Sequence, residues 1–178
     1  MKKSKNDIKI PLFSPNLTSE DKKAIEIALF NKMLTDGPTL EKFEKMFAKF
    51  TGTKYAIGVS NATSALFLSL KSIGIKKGDE VIIPNMTFVA TANAVIHAGG
   101  TPVLTDVNLD DMNISVAAIK KAITKKTKVI LPVHFAGKAC DMIKIRKIAK
   151  DNNLHLIEDC AHAIGTRINK KHVGTFGD

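Results

Sequence analysis

The sequence predicts an α/β fold, in which helices cover a mostly parallel β-sheet. Two observations support this prediction. After Gly52, short β-rich runs alternate with helical segments, a pattern typical of parallel sheets built from strand–helix units. The strand candidates are also continuous apolar runs, as expected when both faces of a sheet are covered.

The first predicted element is a helix that begins after Thr18. The residues from Thr18 to Asp21 resemble a capping box, with Asp in place of the usual Glu, and they predict a helix through about Phe30. Residues 36–38 (DGP) predict a turn. An apolar stripe at helical spacing follows and is expected to pack in the core; its members are Leu40, Phe43, Phe47 and Phe50.

Strands and helices are predicted in alternation after this point. The predicted strands are residues 55–60, 81–84, 102–107, 129–133 and 154–158. The predicted helices between them are residues 62–73, 89–98, 116–123 and 141–152. Gly99 and Gly100 suit the C-terminal stop of the helix at 89–98, because glycine readily adopts the left-handed conformation there.

Ligands of open parallel sheets bind beyond the carboxyl ends of the strands, so the residues that follow each predicted strand are site candidates. Polar, aromatic and titratable residues occupy these positions. They are residues 60–64 (SNATS), residues 85–88 (NMTF), Asp106, His134, and Asp159 with His162.

Residues 60–64 open a predicted helix directly after a predicted strand. The unpaired N–H groups and positive dipole end of a helix suit a phosphate, and Thr63 or Ser64 can add a hydroxyl. Plain N-capping explains the same residues equally well. The chain has neither a Walker loop nor a GxGxxG motif, which argues against the nucleotide sites built on those loops.

Phe88 and Asp159 are the other two informative candidates. A planar ligand can stack on Phe88, although a core phenylalanine is the commoner explanation at a helix entry. A carboxylate at the end of an apolar strand, as at Asp159, can hold a proton on a ring nitrogen, bind a metal or cap a helix. A metal site would need partners such as His134 and Cys140, and we expect no metal here.

Length and composition fit one ordinary domain. The chain has 178 residues, of which 44% are hydrophobic and 25% charged, so wholesale disorder is not expected. No apolar run approaches the roughly 20 residues that span a bilayer, and the basic start lacks the apolar stretch of a signal peptide. Cys140 and Cys160 fit neither a disulfide scaffold nor a zinc motif. We expect free thiols, a cytoplasmic location and no membrane partner.

The chain is basic, with 27 Lys and Arg against 17 Asp and Glu and a formal net charge of +10. This charge fits nucleic acid, an anionic small ligand or a solvated lysine-rich surface. The lysines are scattered, and only Arg146 and Arg167 are arginines. Base readout favours arginine and single-strand binding favours aromatics, which make up 6% here. We expect no nucleic-acid partner, and a basic nucleic-acid-binding α/β domain is kept as an alternative.

An ordered set of short motifs resembles the sugar aminotransferases of the DegT/DnrJ/EryC1/StrS group, which are fold-type-I enzymes that use pyridoxal 5'-phosphate (PLP). The resemblance runs from about Ile10 to the end of the chain. The matching segments are residues 36–44 (DGPTLEKFE), 59–66 (VSNATSAL), 78–84 (GDEVIIP), 87–94 (TFVATANA), 100–103 (GTPV), 132–137 (PVHFAG), 157–165 (IEDCAHAIG) and 173–178 (VGTFGD).

The resemblance implies a role for each site candidate. Ala62 and Thr63 match the phosphate-binding turn, and Phe88 matches the aromatic residue that stacks on the pyridine ring. Asp159 matches the aspartate that pairs with the pyridine nitrogen. A carboxylate there keeps the nitrogen protonated, which makes the ring an electron sink. His162 matches a residue near the ring and its phenolic oxygen. Asp159 and His162 are the catalytic candidates.

The resemblance also implies a domain division. The Schiff-base lysine of the family lies beyond Asp178, as does the small C-terminal domain. We therefore expect residues 1–35 to form an N-terminal arm and helix. Residues 36–178 are expected to form part of the PLP-binding large domain, which is aspartate aminotransferase-like. The chain is thus expected to be an N-terminal fragment that is inactive alone.

The function implied is transfer of an amino group, with glutamate as donor, to a nucleotide-diphosphate keto-sugar in amino-sugar or polysaccharide biosynthesis. The full-length protein is expected to be a homodimer. Two alternatives share the PLP fold. One is a PLP-dependent sugar dehydratase, in which histidine replaces the lysine, and the other is a non-enzymatic or regulatory protein.

Overall fold

The computed structural model describes residues 14–30 and 33–178. Residues 1–13 of the predicted N-terminal arm lie outside the described part. The helices are α1 (Ser19–Leu29), α2 (Pro38–Thr51), α3 (Ala62–Ser72), α4 (Ala90–Ala98), α5 (Val116–Ala122) and α6 (Met142–Asp151). The strands are β1 (Glu80–Pro84), β2 (Thr101–Thr105), β3 (Thr127–Ile130), β4 (His155–Leu156), β5 (Arg167–Ile168) and β6 (Lys171–His172). A short 3₁₀ turn spans Phe135–Gly137.

Two compact units divide the chain between Lys42 and Phe43. In the first unit, the predicted capping box is confirmed: the Thr18 hydroxyl accepts from the Asp21 backbone N–H, and the Asp21 carboxylate accepts from that of Thr18. These hydrogen bonds hold the pKa of Asp21 below its ordinary value. The helix that follows, α1, ends at Leu29, one residue before the predicted end.

The second unit contains a four-stranded parallel sheet of order β2-β1-β3-β4, which confirms the predicted fold class. Side chains of β1 alternate between the faces of this sheet. Val81 and Ile83 pack in a cluster with Leu70 and Val95, so α3 and α4 cover one face. Ile82 packs in a second cluster, which contains Ile119 of α5 and Ile145 of α6. Helices therefore cover both faces, which explains the continuous apolar runs.

Gly99 ends α4 as expected. Its φ of 98° lies in the left-handed region, and its backbone N–H donates to the carbonyls of Val95 and Ile96. Glycine adopts this conformation without the steric penalty that a Cβ atom brings.

Two expectations about the start of the second unit are wrong. Residues 55–60 form no strand, and Tyr55 and Ile57 are 72% and 82% exposed. A strand requires a hydrogen-bonded neighbour, and no described residue offers this run a ladder. In the apolar stripe of α2, Phe43 and Phe50 are 56% and 48% exposed, Leu40 and Phe47 are half-buried, and none of the four belongs to a core cluster. The apolar spacing therefore predicted the helix correctly, but it did not predict whether the apolar face is buried.

A small antiparallel hairpin, β5–β6, follows the sheet. Asn169 and Lys170 connect its strands, both with positive φ. No helix in the described part of the chain is long and apolar enough to cross a membrane.

Candidate functional site

A small cavity of about 170 Å³ lies in the second unit, at the carboxyl-end edge of the parallel sheet. The five residues to which the resemblance assigns a role all line it, namely Ala62, Thr63, Phe88, Asp159 and His162. They come from the start of α3, the loop after β1 and the segment after β4. Phe88 and Asp159 follow strands of one parallel sheet, whose carboxyl ends lie at the same edge, so these two residues converge although they are 71 positions apart.

Asp159 is fixed from both its backbone and its side chain. Its N–H donates to the Pro132 carbonyl at 2.9 Å, and its carbonyl accepts from His134 N–H at 3.1 Å, which extends the β3–β4 pairing by one bridge. Carboxylate oxygen Oδ1 accepts from Ala161 N–H at 3.1 Å, and Oδ2 accepts from the Thr91 hydroxyl at 3.0 Å. The carboxylate is thus held as an acceptor in the wall of the cavity while the residue is only 7% exposed.

Phe88 lies in the loop between β1 and α4. Its carbonyl accepts from Thr91 N–H at 3.1 Å, which anchors the residue at the entry of the helix. Its side chain is 71% exposed and lines the cavity. The interpretation of Phe88 as a core residue is therefore wrong, and its ring is available for a planar ligand.

At the start of α3, one residue caps the helix, and other residues offer groups that can bind an anion. Asn61 is the N-cap residue, and its side-chain oxygen accepts from Ser64 N–H at 2.9 Å. The backbone N–H groups of Ala62 and Thr63 have no hydrogen-bond partner among the described residues. Thr63 is exposed at the cavity. Capping by Asn61 therefore leaves two N–H groups and a hydroxyl for an anion.

His162 is an exposed residue that lines the small cavity. Its ring meets Phe135 edge to face, with 6.2 Å between ring centroids. Phe135 also lines the small cavity. This contact gives His162 a preferred ring position at the rim.

Thr87 and Thr91 were missed as a pair by sequence reasoning. Their hydroxyls lie 2.8 Å apart, and both residues line the small cavity, where Thr91 is fully buried. The sequence shows that Thr87 and Thr91 are four residues apart. It gives no sign that Thr91 contacts Asp159, which lies 68 residues later.

Three other candidates at the sheet edge do not line the small cavity. Asn85 donates to the Asp106 carboxylate at 3.2 Å, and neither residue lines the small cavity. His134 is fully buried, and it does not line that cavity either.

His134 belongs to a buried network centred on Glu158. Its Nδ1 accepts from Cys140 N–H at 3.0 Å, so its ring proton lies on Nε2, which donates to Glu158 at 3.1 Å. Glu158 also accepts from the N–H groups of Gly174, Phe176 and Gly177 at 2.7–2.9 Å. Burial opposes ionisation of Glu158, but these donors outweigh it and hold its pKa below the ordinary value.

This network also bears on the metal alternative. His134, Glu158 and Cys160 place ligand atoms within 4.8 Å of one another, whereas Cys140 contributes only its backbone N–H to the histidine. Both ring nitrogens and both carboxylate oxygens already have hydrogen-bond partners. The arrangement is therefore a satisfied hydrogen-bonded cluster that holds the segment 173–177 against β4.

Both cysteines are free. Burial, with the nearby charge of Asp111, raises the pKa of Cys140 to about 12. Burial, with the charges of Glu158 and Asp159, raises the pKa of Cys160 as well. Both thiols stay protonated at neutral pH, which does not suit a nucleophile.

A larger cavity of about 560 Å³ adjoins the small one and shares Ala62 and Asp159 with it. Its walls are mostly apolar, with Phe43, Ile57 and Ile164 among them. Thr63, Phe88 and His162 do not line it. Its size alone does not make it the reaction site, because the groups with matched chemistry surround the smaller cavity.

The groups that line the small cavity suit a planar ring that carries an anionic group. Its volume is close to that of an apolar cavity of ~150 Å³ that holds benzene. The helix N-terminus suits a phosphate, Phe88 offers a ring face, and Asp159 offers an acceptor for a ring N–H. These are the groups that PLP requires, so the donor set is compatible with that cofactor.

Comparison with known proteins places this geometry in context. A model of the DegT/DnrJ/EryC1/StrS aminotransferase family matches residues 15–178. GDP-perosamine synthase from Vibrio cholerae is 41% identical over 170 residues, which are 95% of this chain and 46% of that protein.

Two solved structures are similar over most of the chain. DesV of S. venezuelae matches with a TM-score of 0.84 and 39% identity, over 87% of this chain and 42% of its own. NtdA of Bacillus subtilis, solved with bound cofactor PMP, matches with a TM-score of 0.80 and 39% identity, over 88% of this chain and 37% of its own. The chain thus spans less than half the length of each of these relatives.

Proposed function

Because the chain belongs to the DegT/DnrJ/EryC1/StrS aminotransferase family, we propose that it is the N-terminal part of a longer PLP-dependent sugar aminotransferase, called here the whole protein. The observation that carries this proposal is the convergence of Ala62, Thr63, Phe88, Asp159 and His162 on one small cavity. The share of each relative that the chain covers supports the view that the enzyme is longer.

Each residue has a defined task toward the cofactor. The N–H groups of Ala62 and Thr63, with the Thr63 hydroxyl, bind its phosphate. Phe88 orients the ring by stacking, and Asp159 holds a proton on the ring nitrogen. His162 lines the cavity and would contact the polar substituents of the ring. When bound, PLP supplies a carbonyl that accepts an amino group and a ring that stores an electron pair.

The proposed substrates follow from the relatives and from the charge of the chain. GDP-perosamine synthase is named for an amino sugar carried on a nucleotide diphosphate. We assign a nucleotide-diphosphate keto-sugar as acceptor and glutamate as donor, for amino-sugar or polysaccharide biosynthesis. The formal net charge of +10 favours an anionic substrate.

The remaining proposals concern the whole protein. The proposed division is an N-terminal segment, residues 1–35, followed by part of the PLP-binding large domain, residues 36–178. The Schiff-base lysine lies beyond Asp178, so residues 1–178 alone are inactive. The protein acts as a homodimer in the cytoplasm, where the free thiols of Cys140 and Cys160 stay reduced.

The test is nitrogen transfer by the whole protein. It is loaded with PLP, given glutamate with an isotopically labelled amino group, and then given a nucleotide-diphosphate keto-sugar. Mass spectrometry of the sugar should show the labelled nitrogen in place of the keto oxygen. The Asp159→Asn variant should retain bound PLP and transfer little nitrogen.

Three other results would overturn the proposal. Loss of a sugar hydroxyl without gain of nitrogen would indicate a dehydratase. Stoichiometric PLP without any sugar product would indicate a non-enzymatic protein. Failure to bind PLP would contradict the cofactor assignment.

A further inference from the structure

Thr91 has no surface role, because it is fully buried in the first turn of α4. Its hydroxyl nevertheless has two partners, Asp159 at 3.0 Å and Thr87 at 2.8 Å. An ionised carboxylate only accepts, so the Thr91 hydroxyl donates to Asp159 and its oxygen accepts from the Thr87 hydroxyl. The hydrogen bonds therefore run in one direction, from Thr87 through Thr91 to Asp159.

This chain of hydroxyls joins two walls of the small cavity. Thr87 directly precedes Phe88 in the loop after β1, and Asp159 follows β4. A shift of the loop after β1 would therefore have two effects at once: it would move the Phe88 ring, and it would weaken the hydrogen bonds that hold the Asp159 carboxylate. The hydrogen bond to a charged acceptor is the stronger of the two, because it is charge-assisted.

We infer that Thr91 is a positioning residue for the cofactor: it orients the Asp159 carboxylate and fixes it relative to the Phe88 ring. This inference rests on the proposed function, since it assumes that the small cavity holds PLP. The carboxylate has one oxygen held by Ala161 N–H and the other by Thr91. Without the Thr91 hydroxyl, one oxygen loses its donor and the carboxylate can rotate.

The test uses the whole protein with PLP as the probe. Thr91→Val keeps the shape and removes the hydroxyl. We expect the dissociation constant for PLP to rise on the order of tenfold, because a carboxylate that is free to rotate makes a weaker charge-assisted hydrogen bond to the ring N–H. The circular dichroism that the site induces in the bound cofactor should decrease, because this signal reports ring orientation. Thr91→Ser should restore both values to within about twofold of the original protein.

Thr105→Val is the matched control. Thr105 is also buried, and its hydroxyl donates to the Ile83 carbonyl at 3.1 Å, but it does not line the small cavity. It should lose stability without a change in PLP affinity or in the induced signal. If Thr91→Val does not fold, Thr91→Ser and Thr91→Ala form a second pair that differs only in the hydroxyl.

The outcomes separate this inference from the proposed function. Equal affinity and equal induced signal in the original protein and the hydroxyl-free variant would overturn the role of Thr91 while leaving the proposed function intact. Equal losses in Thr91→Val and Thr105→Val, without rescue by serine, would reduce Thr91 to a structural residue. No PLP binding by the original protein would overturn both.

Discussion

Replacement of Glu158 by glutamine tests the buried network that holds segment 173–177 against β4. The glutamate side chain is 2% exposed and accepts four hydrogen bonds, one from His134 and three from backbone N–H groups. In Glu158→Gln, the amide oxygen keeps the donors Phe176 and Gly177, while the new NH₂ group faces Gly174 N–H and His134 Nε2–H. His134 cannot easily shift its proton, because Nδ1 accepts from Cys140.

The magnitude follows from this count. One buried donor, His134 Nε2–H, loses its acceptor, whereas Gly174 is exposed and its N–H can bond to water. An unsatisfied buried donor costs about 1–3 kcal/mol, so the free energy of opening segment 173–177 should fall by about that amount. Since 1.4 kcal/mol is a factor of ten, amide exchange in this segment should accelerate at least ~5-fold.

The assay is hydrogen exchange with mass spectrometry on the whole protein. Glu80→Gln is the control, because Glu80 lies at the start of β1 and accepts from the exposed Thr124 hydroxyl. That variant should leave exchange at 173–177 unchanged. Exchange in Glu158→Gln within about twofold of the original protein would refute the assigned network, because it would mean that the buried His134 donor finds another acceptor.

Three further predictions concern the site and its pH dependence. Asp159→Ala should lower kcat of the whole protein at least about 100-fold, since it removes the charge opposite the ring nitrogen; near-normal turnover would exclude that role. Thr63→Val should weaken PLP affinity by about 1–3 kcal/mol in equilibrium dialysis, whereas unchanged affinity would mean that its hydroxyl does not touch the phosphate. Because the pKa of Glu158 is lowered in the folded state, its stabilising contribution is present above the unfolded pKa of about 4.3 and is lost as pH falls through the lower folded value. As pH falls, the Tm of the original protein should therefore decrease more steeply than the Tm of Glu158→Gln. Parallel plots of Tm against pH for the two proteins would contradict the assignment.

Local sequence signals predicted the elements whose causes are local. The capping box at Thr18 and Asp21 uses residues three apart, and the stop at Gly99 uses one residue's backbone freedom. The run at 55–60 shows the limit of such signals. Its composition suits a strand, but a strand also needs a neighbour, and none of the described residues provides one.

Part of the candidate site was predictable from the topology of the sheet. Residues at the ends of parallel strands must meet at one edge, so the convergence of Phe88 and Asp159 could be expected from topology. The exclusion of His134 from the cavity could not, because it depends on the buried partners Glu158 and Cys140. The support that Thr91 gives to Asp159 was also hidden, since no pattern marks a contact across 68 residues.

The most direct test of the central claim is the protonation of the cofactor's ring nitrogen beside Asp159. Nuclear magnetic resonance of PLP labelled at that nitrogen, bound to the whole protein, reports whether the nitrogen carries a proton. The proposed site predicts a protonated nitrogen in the original protein and a deprotonated one in Asp159→Ala at the same pH. A nitrogen signal that is the same in both proteins would contradict the assignment of Asp159, and with it the proposed cofactor site.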